Sequence, residues 1–416
     1  MRKIAIIALV ILCSLSGFAQ NQMSTLKGVL VDSISGLPIV QATVFVPFTT
    51  HGTTSNSKGE FILSKLPKGP LKIAIRHLGY NPVSLEINIQ GKEQRLKTIR
   101  ISPTTLQLEE ITKVGSHVDQ FKSLLLFKKH FLGNTRGNTC EIKNPDDLFF
   151  YKEDGVLHAS VRKPLKIINR YLGYEITYFL DEYKLMVHHI PHDSLARQKA
   201  IDAAHPSDRV KVSRTLPVNT AKDLYYQTFS GLALYKDLSK GKSVRGLNWR
   251  LNREAEFRGN LRHFLITLHR GELEKSNYQL VPAWDKSGKP EASDHIEIDS
   301  LFFWDHHLNK PSFLYYNKSA KGIMKNELVG ANDKQKSDCI MYDQAILVVY
   351  DVVQSLSIKD DRVAELNLKG KPLCFDAYGS IKSVAEDARL WIYHDSNVKL
   401  RVLLPNDFLP KGFLEK

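Results

Sequence analysis

Cysteine is scarce in this chain. There are four among 416 residues, and none stands in a CxxC pair or beside histidines at metal-cluster spacing. A cysteine-built metal cluster is therefore excluded. Long apolar runs are also missing: beyond residue 20, no stretch approaches the ~18 apolar residues of a spanning helix. No GxSxG elbow, internal repeat or low-complexity tract is present. Lys240-Gly241-Lys242-Ser243 copies the end of a phosphate loop, but Lys236 stands where the first glycine of that loop belongs, and a nucleotide cradle is discarded. Ser55-Asn56-Ser57-Lys58 has SxxK spacing, yet it falls in a turn rather than at a helix start, so Lys58 is expected to point to solvent. Acidic charge is in deficit. Asp and Glu number 44 against 58 Lys and Arg, a formal +14. The lysines are dispersed and no nucleic-acid motif accompanies them.

The first twenty residues read as an export signal. Arg2 and Lys3 precede the apolar run Ile4 to Leu12, and Ser14, Ser16, Gly17 and Ala19 supply small residues before a cut near Gln20. Cys13 invites a lipoprotein reading, but Val10-Ile11-Leu12 lacks the small residue such a signal places before its cysteine. Removal of the signal lowers the charge from +14 to +12, since Arg2 and Lys3 leave with it. A basic exported protein can meet lipopolysaccharide, acidic glycans or an acidic partner. Cys140, Cys339 and Cys374 remain, an odd number, so at least one thiol stays unpaired. A Cys339–Cys374 bridge and three buried thiols both fit.

Between Lys27 and Ile89 short apolar runs alternate with turn residues. Val29 and Val31, then Ala42, Val44 and Val46, then Leu71, Ile73 and Ile75, then Val83, Leu85, Ile87 and Ile89 place apolar residues two apart, one face of a strand each. Ser35-Gly36, Ser57-Lys58-Gly59 and Gly69-Pro70 turn the chain between them. The expectation is an antiparallel sandwich of about seven strands. The motifs Gly28-x-x-x-Asp32, Gly36-x-Pro38-x-x-x-Ala42-x-Val44, Thr53-Thr54-x-x-x-x-Gly59-x-Phe61, Leu66-Pro67-x-Gly69 and Leu78-Gly79-Tyr80 resemble the carboxypeptidase regulatory-like domain, a transthyretin-like sandwich. The resemblance implies a fold and no chemistry.

After a linker at 103–115, Ser116 to Gly133 shows helical period, with Ser116 as N-cap and Gly133 as stop. Strands are expected at 148–151, 156–161, 176–180, 184–188, 224–229 and several later runs. A short helix is expected at 194–204 and a second prominent one from Phe257 to Glu272. Phe131-Leu132-Gly133, Cys140-Glu141-Ile142-x-Asn144-Pro145, Pro164-Leu165-x-Ile167, Leu172-Gly173-Tyr174-x-Ile176, Gly259-x-x-x-His263-Phe264-Leu265-x-x-Leu268 and Leu403-Leu404-Pro405 resemble the region that follows the same sandwich in exported Gram-negative proteins. That resemblance implies an envelope location and no reaction. The fold class is thus mainly β with α+β: a signal at 1–20, a sandwich at 25–102, and a strand-rich α+β domain with two prominent helices at 116–416.

Three groups of side chains are candidates for chemistry. His269 and Glu272 form an HxxE pair with His394 downstream, the ligand pattern of a zinc carboxypeptidase; with 15 His and 44 acidic residues, roughly one such match arises by chance. His188-His189-Ile190-Pro191-His192-Asp193 is the densest ligand cluster, and His188 or His189 could meet His192 across the proline turn; Asp305-His306-His307 is similar. Tyr174, Tyr178, Tyr225 and Tyr226 could stack on a sugar ring or serve as core. Taken together, these describe an exported non-catalytic binding or scaffold protein of the periplasm or outer-membrane surface. It needs no cofactor and has a protein or glycan of the envelope as partner. A metal-dependent hydrolase and an accessory of an outer-membrane transporter are the alternatives.

Overall fold

The computed structural model describes residues 23–104, 118–133, 140–190, 222–239, 244–284, 298–305, 310–317, 329–332, 337–343, 345–350, 363–375, 379, 381–383, 389–393 and 404–410. The export signal, most of the linker, the helix expected at 194–204 and the Lys240–Ser243 loop lie outside these residues. The architecture is mainly β with few helices, in several sheets.

Eight strands build the N-terminal sandwich: β1 (Ser24–Asp32), β2 (Thr43–Phe45), β3 (Gly52–Thr54), β4 (Glu60–Leu66), β5 (Gly69–Arg76), β6 (Val83–Ile89), β7 (Glu93–Arg95) and β8 (Ile99–Ile101). One sheet has β1 flanked by β4, β7 and β8; the other runs β3-β2-β5-β6. Leu26, Leu30, Val44, Phe61, Leu63, Ile73 and Ile75 fill the space between them. The expected alternation holds for Ala42, Val44 and Val46 but is inverted in β1. There Leu26, Gly28 and Leu30 are buried while Val29 and Val31 lie on the half-exposed face. This strand is apolar on both faces, so period two could not choose between them. Packing decides it: Gly28 is paired with Phe61, whose ring would come within 2.7 Å of any Cβ at that glycine.

The second part begins with α1 (Gln120–Phe127), which passes into a π-helical turn at Lys128–Leu132 and stops at Gly133 with φ +75°. Its N-cap is Asp119, which accepts the Lys122 N–H, rather than the expected Ser116. Phe127, Phe131 and Leu132 bury against a sheet of β9 (Cys140–Ile142), β10 (Leu148–Glu153), β11 (Val156–Val161), β12 (Leu165–Asn169), β13 (Tyr174–Ile190) and β14 (Lys222–Asp237). Its order is β10-β11-β13-β12-β9, with β14 also on β13. The two strands expected at 176–180 and 184–188 are one strand of 17 residues, bulged between Leu180 and Glu182. The bulge exposes Asp181 and resets the inward face, so Tyr178 and Tyr183 both point to the core.

A helix that the sequence did not suggest, α2 (Val244–Phe257), ends where the expected one was to begin; of the helix expected from Phe257 to Glu272 only α3 (Leu261–His269) forms. Gly259 takes φ +81° between them, and the Asn260 side chain caps α3 by accepting the His263 N–H. The described residues hold three α-helices among many strands. α3 packs on β15 (Tyr278–Trp284), which lies in a sheet with β16 (Ile298–Asp305) and β17 (Lys310–Asn317). A small sheet contains β18 (Val329–Asn332) and β19 (Ser337–Ile340). β20 (Ala345–Tyr350) and β21 (Val363–Asn367) extend the larger one, β22 (Leu373–Phe375) and β23 (Ile381–Ser383) the smaller, and β24 (Arg389–Tyr393) ends the larger. Cys339 and Cys374 face each other across β19 and β22 and form a disulfide; Cys140 is buried outside it.

The sandwich does not hang from its linker. The β2–β3 hairpin lies alongside β14: the Phe48 N–H donates to the Ala233 carbonyl at 2.7 Å and the Tyr235 N–H to the Thr49 carbonyl at 2.9 Å. Phe45, on the outer face of β2, stacks on Phe179 with ring centroids 5.1 Å apart. A Cβ on Gly52 would come within 2.6 Å of Leu234. Residues 404–410 staple this junction. The Asp407 carboxylate accepts the Thr50 N–H at 3.0 Å and the Thr50 hydroxyl, and the Asn406 N–H donates to the Phe48 carbonyl. Arg262 on α3 donates to the Phe408 carbonyl.

Candidate functional site

Of the tyrosines that could stack on a sugar ring or serve as core, two lie where a sugar cannot reach them. Tyr174 and Tyr178 are each 2% exposed within the core of the β13 sheet. Burial pushes both hydroxyls far above the ordinary phenol range. A sugar platform at these two is thus corrected to core: period two puts Tyr174, Ile176 and Tyr178 on one inward face, where Arg253 lies over Tyr174 and Phe131 packs on Tyr178. Tyr225 is half-buried beside the His130 ring, at 4.6 Å, with the Lys129 Nζ 5.6 Å from its own ring centre. Tyr226 pairs through its backbone with Met186; its side chain lies outside the described part.

The metal candidates are dispersed along the chain. His269 closes α3 and Glu272 begins a short 3-10 turn three residues on. His188 pairs with Leu224 by backbone, and its side chain lies outside the described part, as do His192, His306, His307 and His394 and the side chain of Asp305. Among the described residues, no three His, Cys, Asp or Glu side chains gather where one ion could hold them.

Polar side chains that chemistry could use are instead bonded to backbone. The Ser55 hydroxyl, buried, donates to the Ile39 carbonyl at 2.6 Å and accepts the Ala42 N–H at 2.9 Å. Asp32 accepts the N–H groups of Ile34 and Ser35 at 2.7 and 2.8 Å, and the Tyr80 hydroxyl at 2.9 Å. The Ser35 and Ile34 N–H bonds, then that hydroxyl, hold the Asp32 carboxyl below the usual carboxylate range. Two motif residues 48 positions apart thus clasp two loops together.

Two buried nodes that sequence reasoning missed organise the second part. Arg253 on α2, 5% exposed, donates two 2.8 Å bonds to Asp237 and one each to the Leu172 and Gly173 carbonyls, and lies 3.9 Å over the Tyr174 ring. Trp249 covers Gly173, where a Cβ would come within 2.2 Å of its ring. His263 on α3 accepts the Gly259 N–H on Nδ1 at 3.1 Å, with the Tyr278 hydroxyl 2.7 Å from the same nitrogen. Burial, then the charge of Arg258, lowers its imidazole to about 4. The motif Leu172-Gly173-Tyr174 and the Gly259–His263 spacing marked both places, but neither shows which arginine or tyrosine arrives from elsewhere in the chain.

Comparison with known proteins agrees with the sandwich. Residues 26–112 match the family model of the CarboxypepD_reg-like domain, so the N-terminal sandwich is a carboxypeptidase-regulatory-like module. No curated protein matches the chain. Among solved structures, the 5-hydroxyisourate hydrolase of Klebsiella pneumoniae is 18% identical over 20% of this chain and 91% of its own, with TM-score 0.17. A cohesin–X-dockerin complex from Acetivibrio cellulolyticus is 17% identical over 26% and 74%, with TM-score 0.19. A DUF3823 family protein from Parabacteroides merdae is 12% identical over 52% and 81%, with TM-score 0.15. Likenesses at these scores carry no inference about function.

Proposed function

We propose that this chain is an exported, non-catalytic protein of the cell envelope, whose sandwich and strand-rich second part form one binding scaffold for a protein or glycan. One observation carries the reading. The polar residues of the sandwich motifs, Asp32, Ser55 and Tyr80, hold loops, while Phe45, Thr49 and Thr50 lock the module onto the second part. A regulatory-like module fixed in this way supports a rigid presenting surface better than a flexible spacer. The signal-like residues 1–20 support export, to the periplasm or the outer-membrane surface. No helix among the described residues is long and apolar enough to cross a membrane.

The test uses the purified mature chain. Peptide, ester and glycan substrates are offered, and metal content is measured by mass spectrometry. The expected result is no turnover and no stoichiometric metal. One zinc per chain, or turnover abolished by a chelator, refutes the scaffold reading in favour of a hydrolase using His188, His192, His269 or Glu272.

A further inference from the structure

We propose that the free end of the sandwich is a membrane-contacting surface whose apolar loop tips enter the headgroup layer of an anionic phospholipid bilayer. This end is the one remote from the docked β2–β3 hairpin. β1 terminates there at Asp32, and the turn from Asn56 to Gly59 starts β4 opposite Val29. Ile34 is 82% exposed, Leu37 66% and Leu78 64%, on two loops that meet at one carboxylate. Asp32 holds the Ile34 and Ser35 N–H groups in the first loop and the Tyr80 hydroxyl in the second. The tips are therefore fixed outward by hydrogen bonds. Large aliphatic side chains held in water by a rigid frame mark a contact surface.

Charge selects the occupant. Between residues 23 and 104 the sequence has ten Lys and Arg against four Asp and Glu. Lys58 stands in the turn whose Gly59 abuts Pro38, next to Leu37, and Arg100 precedes Ile101, whose carbonyl accepts the Ser33 N–H. Both cations are exposed at the patch. The carboxylates there are engaged: Asp32 is bonded inward, and Glu60 accepts the Asn56 amide at 3.0 Å. Apolar tips with two exposed cations beside them fit an interface that is apolar beneath and negative above.

The experiment is vesicle flotation of the full mature chain with phosphatidylglycerol–phosphatidylethanolamine vesicles against phosphatidylcholine vesicles. Binding is expected to the anionic vesicles, weakening as salt rises. Ile34→Asp with Leu78→Asp is expected to weaken it roughly tenfold or more, the scale of losing two buried aliphatic side chains. Lys58→Glu with Arg100→Glu is expected to act through charge alone and to remove the salt dependence. Unchanged melting temperatures would show both variants folded, and Leu37→Lys gives an independent check. Absence of binding to anionic vesicles, equal binding to neutral ones, or full retention in the Ile34/Leu78 variant overturns the proposal. So does self-association of the chain that the same variant abolishes. None of these outcomes bears on turnover or zinc content, so this inference and the scaffold reading fail separately.

Discussion

The His263 node makes the stability of the second part depend on pH in a defined direction. The imidazole is buried and its Nδ1 already receives the Gly259 N–H, with the Tyr278 hydroxyl at hydrogen-bond distance. Protonation would turn the Nδ1 that accepts the Gly259 N–H into a donor facing a donor, in a place where charge is poorly solvated. The folded-state value is lowered from the ordinary 6.5 to about 4. Between these limits the unfolded chain binds a proton that the folded chain refuses, so stability falls as pH drops from about 6.5 to about 4 and is unaffected by this group above that window. The difference corresponds to about 3 kcal/mol at the acid end. The assay is urea unfolding at pH 7.5, 6, 5 and 4, followed by tryptophan fluorescence. All four tryptophans, Trp249, Trp284, Trp304 and Trp391, lie outside the sandwich, so the signal reports the part that contains His263. His263→Gln keeps an acceptor and cannot titrate. It is expected to start less stable at pH 7.5 and to lose about 3 kcal/mol less than wild type on acidification. Parallel pH profiles for the two proteins would refute the reasoning.

Arg253→Met should cost about 2–4 kcal/mol in the same assay, because it strands Asp237 and two carbonyls that the guanidinium now satisfies. Replacing both partners, Arg253→Met with Asp237→Leu, should recover part of that loss; an equal or larger loss would show the ion pair is not the cause. Cys339→Ser with Cys374→Ser opens a crosslink over a sequence separation of 35 and should cost about 3–4 kcal/mol by loop entropy, read as a lower urea midpoint against the oxidised wild type. Asp407→Ala should speed amide hydrogen exchange in residues 46–52 while leaving β4 and β5 protected. Unaltered exchange there would mean the C-terminal segment does not staple the sandwich.

What was legible in the sequence follows from local rules. Period-two runs and turn residues marked the sandwich, because Ala42, Val44, Val46, Ile73 and Ile75 must share a face and Gly36 and Gly59 must take φ +73°. Gly133 stopped α1 for the same conformational reason. The motif spacing from Gly28 to Tyr80 sufficed to name the module. Where two local rules competed, the sequence could not choose. β1 is apolar on both faces, and the ring of Phe61 over Gly28 decided which face went in. Periodicity carried from Phe257 across Gly259, but that glycine takes φ +81° and no helix passes through it. The tyrosines of β13 read as platform or core; the inward face they share, covered by Arg253 and Phe131, settled that for Tyr174 and Tyr178. The remaining decisions joined residues far apart along the chain: Asp407 with Thr50, Arg253 with Gly173, Cys339 with Cys374. Sequence alone thus determined the sandwich strands and turns and most later strands, since backbone preference and side-chain period act over a few residues. Only the tertiary structure decided their partners, since burial and hydrogen-bond satisfaction are settled by what folding brings within a few ångströms.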